Sequence, residues 1–176
     1  SEIEEVVERI ERLIKRIKEE VERALKESED LIRDIERRVR ELLEEWDRLS
    51  ERIREVVERN PEKREDLKRL VEESRREAKR VLDELRRLVE EDRRRNEELL
   101  RRLEELIREI EDRIEKLAED KDELRRLKEE LRKLLEDVKK LLEESKKKTD
   151  DLLKRAEDEL RKLKEKDDDL LRKVKD

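Results

Sequence analysis

Five polar residues stand where the pattern of this chain calls for apolar ones: Ser28, Asp92, Asn96, Ser145 and Thr149. Nearer one end, Trp46, Ser74 and Asp167 form a second group of exceptions. An ionised Asp only accepts hydrogen bonds, an indole N–H only donates, and Asn, Ser and Thr do both. Left unpaired in an apolar interior, each such group costs about 1–3 kcal/mol, so their natural chemistry is mutual hydrogen bonding. Metal binding fits poorly. Bundle metal sites combine Glu with Glu-x-x-His pairs, and the chain has neither His nor Cys. Asp92 among hydroxyls makes a weak cage for Zn²⁺ or Ca²⁺. No metal and no cofactor is expected. There is also no nucleophile–base pair and no Gly-rich phosphate cradle, so no catalytic residue is assigned and no enzyme is expected.

The elements that hold these residues are helices. The chain lacks Gly, Cys, Met, His, Phe, Tyr and Gln, and 64% of it is charged. What remains is mostly Glu, Arg, Lys and Leu, all strong helix formers. Ser1 with Glu4 has the form of a capping box. An apolar seam then runs Ile3, Val7, Ile10, Ile14, Ile17, Val21 and Ala24, and continues through Ile35, Val39, Leu42, Trp46, Leu49 and Ile53. A flanking stripe (Val6, Leu13, Leu25, Ile32, Leu43, Val57) widens this face, as a helix touching two neighbours requires. Asn60-Pro61 ends the first helix, because proline disfavours helical backbone in the residue before it and suits the first turn of the next helix.

A second seam follows: Leu67, Val71, Ala78, Val81, Leu85, Leu88, Leu99, Leu103, Leu106, Ile110 and Leu117. Asp120-Lys121-Asp122-Glu123 reads as a second break with its own capping box. The third seam runs from Leu124 through Leu127, Leu131, Leu134, Val138 and Leu141 to Ala156, Leu160, Leu163 and Leu170. These boundaries predict helices over about 2–59, 61–118 and 121–175, each about 85 Å long at 1.5 Å per residue. Two short connections make neighbours antiparallel. The expected fold is all-α: a long, up-down-up three-helix bundle of coiled-coil character, forming one domain over 1–176. An unbroken helix from Pro61 onward, forcing dimerisation, is the competing topology.

The polar exceptions test that topology. In antiparallel neighbours, residues equidistant from a connection lie at one level. Ser28, the Asp92–Asn96 gap and the Ser145–Thr149 gap then coincide, and so do Trp46, Ser74 and Asp167. A large indole opposite small or polar partners compensates volume, and its N–H finds an acceptor in Asp167 or Ser74. Successive four-residue steps near Ser28, Asn96 and Thr149 lengthen the mean repeat and weaken supercoiling, so the bundle should be nearly straight.

Charge narrows the partners. Lys and Arg number 53 against 59 Asp and Glu, a net charge of −6, which argues against a general nucleic-acid binder. The triplets Arg93–Arg95 and Lys146–Lys148 sit among acids and read as solvated faces. No apolar run approaches a membrane span and no signal peptide is visible. Helix three differs from the others: it prefers Lys, contains no Ile, and its apolar content thins after Leu142.

The reduced alphabet, the Asn60-Pro61-Glu62 connection, the Glu/Arg/Leu repeats and the mid-bundle polar layer resemble computationally designed helical bundles with buried hydrogen-bond networks. Spectrin-type repeats share a three-helix form with a tryptophan in the first helix, but their helices are shorter. The resemblance to designed bundles implies a structural scaffold without evolved activity, monomeric and without a required partner, its specificity set by buried polar layers. The alternative is a helical interaction module in a designed assembly. It would either offer a groove to a designed helical partner or carry helix three as a displaceable latch.

Overall fold

Helix formers uninterrupted by Gly or interior Pro leave the backbone no reason to leave the α region. The computed structural model describes residues 2–117 and 122–175. Among them the helices are α1 (Glu2–Arg59), α2 (Arg64–Lys116) and α3 (Asp122–Lys175). Each opens on acids: Glu2, Glu4 and Glu5 in α1, Glu65 and Asp66 in α2, and Asp122 and Glu123 in α3. Arg59 closes α1, and Arg113 and Lys116 close α2. These charges complement the helix dipoles. Ser1, the proposed cap of helix one, and Asp120 and Lys121 of the second connection lie outside the described residues.

The first connection follows from proline chemistry. Asn60 takes an extended conformation, φ −139° and ψ 85°, as a residue before proline must. Its N–H still closes the last turn of α1 on the Val56 carbonyl at 2.8 Å. Pro61–Lys63 then form one 3-10 turn, with the Lys63 N–H donating to the Asn60 carbonyl at 3.2 Å. Regular α-helical bonding starts only at Arg64. At the far end of α2 the Leu117 N–H reaches back three residues to the Ile114 carbonyl at 3.3 Å, the tightened last turn common at helix ends.

The chain groups into two compact units: Ser1–Asp30 with Glu91–Lys148, and Leu31–Glu90 with Thr149–Asp176. Part of each helix contributes to each unit. The first unit has one aliphatic core. Ile10, Ile14 and Ile17 of α1 join Leu103 and Ile107 of α2, and Leu124 and Leu131 of α3. The second unit has two clusters. Trp46, Ile53, Leu67, Val71, Leu163 and Leu170 form one, and Ile35, Val39, Leu85, Val89 and Ala156 the other.

Several seam positions differ from those read in the sequence. In α2 the buried seam also takes in Val89, Ile107 and Ile114, while Leu88 and Leu106 are only half-buried. In α3 Leu142 is buried and Leu141 is 43% exposed. At Leu88-Val89, Leu106-Ile107 and Leu141-Leu142 two adjacent aliphatic residues straddle the seam, and packing of the neighbouring helices selects the second. The flanking residues Val6, Leu13 and Leu25 pack against the first core, and Leu43 and Val57 against the second unit's clusters.

Candidate functional site

In the first unit, Ser28 of α1 is completely buried, and Asp92 of α2 is 3% exposed. The Ser28 hydroxyl lies 3.0 Å from both carboxylate oxygens of Asp92 and donates to that group. The Asn96 side-chain amide, one turn further along α2, donates to Ser28 Oγ at 3.2 Å. Donation runs in one direction, Asn96 to Ser28 to Asp92, and ties α1 to α2 at two points. Arg95 bounds the set, with its guanidinium 3.5 Å from Asp92 Oδ1 and 3.2 Å from Glu27 Oε2. Burial raises the Asp92 pKa above its ordinary value, against the lowering pull of the Ser28 hydrogen bond and of Arg95. Ser145 is buried on α3 in this unit. Thr149, also buried, falls in the second unit.

The second unit contains the other arrangement. The Trp46 indole N–H donates to Oδ1 of Asp167, a carboxylate with no exposed surface. Lys166 Nζ sits 5.4 Å from the centroid of the same ring, within the range of a cation–π contact. Asp167 Oδ2 makes no hydrogen bond, and the nearest cation is Arg75 Nε at 3.9 Å. Arg75 is committed elsewhere, donating to the Asp168 carboxylate and, at 3.2 Å, to the Lys164 carbonyl. Burial is the main cause of a raised Asp167 pKa; the Trp46 bond and the Arg75 charge partly offset it.

Ser74 is half-buried and takes no part in this arrangement; its neighbour Arg75 does. Arg75 and Asp168 were missed in the sequence because they read as ordinary surface charges among many. Arg95 carried a weak signal, since it stands three residues after Asp92 on the same helix face. Ser50, buried at 6%, was also missed: its hydroxyl donates to the Asp47 carbonyl of its own helix at 2.9 Å, so it needs no partner helix.

This geometry restricts the chemistry available. Ser28 and Asp167 have no exposed surface. Among the described residues no group of three or more His, Cys, Asp or Glu is placed to hold a metal ion. Nor is any helix there long and apolar enough to cross a membrane. The two arrangements join helices through directional hydrogen bonds, Ser28 with Asp92 and Asn96 between α1 and α2, and Trp46 with Asp167 between α1 and α3.

No protein-family model matches the chain, and no curated protein matches it. Among solved structures it is similar to one described as a computationally designed three helix bundle. Identity is 21%, the match covers 98% of this chain and 88% of the other, and the TM-score is 0.57. The likeness is one of fold, and the chain is a three-helix bundle.

Proposed function

We propose that this chain is a designed structural scaffold, a self-contained monomer whose helix register is enforced by its buried polar groups. The observation that carries the reading is the Asn96–Ser28–Asp92 chain of hydrogen bonds in an otherwise aliphatic core. A buried network adds little net stability, but a shifted register leaves its members unpaired, at about 1–3 kcal/mol each. The Trp46–Asp167 bond has the same logic between α1 and α3. The designed neighbour of the same fold supports the reading, as does an alphabet without the residues most used in chemistry. No catalytic step belongs to it, and neither a cofactor, a nucleic acid nor a membrane is required.

One observation favours a second reading, the displaceable latch. In the first unit α3 fills the core with Leu124, Leu127, Leu131, Val138 and Leu142. In the second its buried apolar residues are Ala156, Leu160, Leu163 and Leu170, interrupted by the polar Thr149 and Asp167, so it buries less apolar surface there and holds less tightly. Sedimentation velocity over a broad concentration range, with and without excess peptide spanning 122–175, separates the two. The scaffold gives a single 21.9 kDa species that ignores the peptide. A latch exchanges its third helix and binds the peptide, and a dimer of the chain alone would contradict the scaffold.

A further inference from the structure

The chain carries a net charge of −6, yet one groove on it is strongly basic. In the first unit a cleft of about 570 Å³ opens between α1 and α2. Its floor is aliphatic, built from Val6, Ile10 and Leu13 on one side and Leu106, Ile110 and Leu117 on the other. Its walls hold Arg9, Arg12 and Arg16 from α1 and Arg113 and Lys116 from α2, against the single acid Glu109. Of these cations only Arg12 has an ion pair among the described residues, with Glu8 at 3.5 Å. The others stand along apolar surface, stems over the floor and charged heads toward water.

A second basic cleft, in the second unit, differs in the respect that matters. Its lining residues include the acids Glu157 and Asp167, and three of its arginines are already engaged: Arg75 with Asp168, Arg86 with Glu157, Arg161 with Asp158. The first groove combines an aliphatic floor with guanidinium groups that, Arg12 apart, have no ion pair among the described residues. Arginine forks match carboxylates in a two-point geometry, so charge complementarity points to an anion with an apolar body. The volume lies within the range of small-molecule sites. Val6–Arg16 span three turns of α1, about 16 Å, the length of a dodecyl chain.

We propose that this groove binds one molecule of a long-chain carboxylate, its tail along the Ile10–Ile110 floor and its head group held by the wall arginines. The inference concerns the surface of one unit and is independent of the scaffold reading, which rests on the buried layers. The test is amide chemical-shift mapping of the full isotope-labelled chain titrated with dodecanoate below its micelle concentration. Saturation at one equivalent is expected, with shifts confined to residues 6–16 and 106–117. Dodecyltrimethylammonium, which pairs the same tail with a cationic head, should move none of them. Arg9 and Arg16 are exposed, so Arg9→Glu with Arg16→Glu keeps the fold while weakening dodecanoate about tenfold. Shifts spread over both units, non-saturating binding, equal binding of the cationic amphiphile, or binding only to anionic vesicles would each overturn the proposal.

Discussion

Trp46 and Asp167 are 121 positions apart in the chain, and the indole N–H of the first donates to one oxygen of the second inside the core of the second unit. The other oxygen of that carboxylate has no hydrogen bond and only the Arg75 charge at 3.9 Å. The group is thus half-satisfied, ordered by one directional bond and destabilised by burial of its charge.

That imbalance has a pH signature. Burial raises the Asp167 pKa above its ordinary 3.8, so the folded chain holds this proton more tightly than the unfolded chain does. Stability from this group is therefore full below the unfolded value and lost as pH rises through the folded one. Asp92, raised for the same reason, acts in the same direction. Glu115, lowered by Lys128, acts in the opposite one, but it is exposed and screened. Asp167→Asn keeps an acceptor for the indole and removes the charge. Urea unfolding as a function of pH should show a falling stability in the wild type across this window and a flatter profile in the variant. An unchanged slope would mean that Asp167 titrates normally.

The Ser28–Asp92 pair should behave as a coupled unit. Ser28→Ala leaves a buried carboxylate without its hydroxyl donor, at about 1–3 kcal/mol. In the background of Asp92→Leu the same change should cost much less. A double-mutant cycle by chemical denaturation is expected to give a coupling of about 0.5–3 kcal/mol; additive effects would show that the two side chains do not depend on each other.

Adjacent leucines give a test of the seam itself. Leu142 is 6% exposed and Leu141 43%. Leu142→Ala should cost about 2–4 kcal/mol through lost burial and a residual cavity, and Leu141→Ala less than about 1 kcal/mol. Thermal or urea unfolding of the two variants reads the contrast directly, and equal losses would place the seam between them.

These leucines also show how far the sequence could be read. Helix formation, the break at Asn60-Pro61 and the three-helix fold follow from propensity, proline sterics and the periodic spacing of the apolar residues. In α2 and α3 the pattern offers pairs, Leu88-Val89, Leu106-Ile107 and Leu141-Leu142. Periodicity alone cannot choose within a pair, because the choice is made by the neighbouring helices. The polar exceptions were visible for a different reason: a polar residue interrupts an apolar seam conspicuously. Ser28, Asp92, Trp46 and Asp167 stood out in this way. Arg75 did not, because in a chain that is 64% charged a cation that reaches a buried carboxylate looks like every other surface cation.

On the scaffold reading proposed above, the buried polar groups select one helix arrangement rather than supply stability. Replacing the layer with aliphatic residues, Ser28→Val, Asp92→Leu and Asn96→Leu together, tests it most directly when unfolding and sedimentation are measured on the same samples. Equal or greater resistance to denaturant is expected, as hydrophobic replacement of buried polar groups often produces, together with a loss of the single monomeric species in favour of several oligomers. A variant that stays a single monomer at every concentration, with the wild-type pattern of hydrogen-exchange protection, would contradict it.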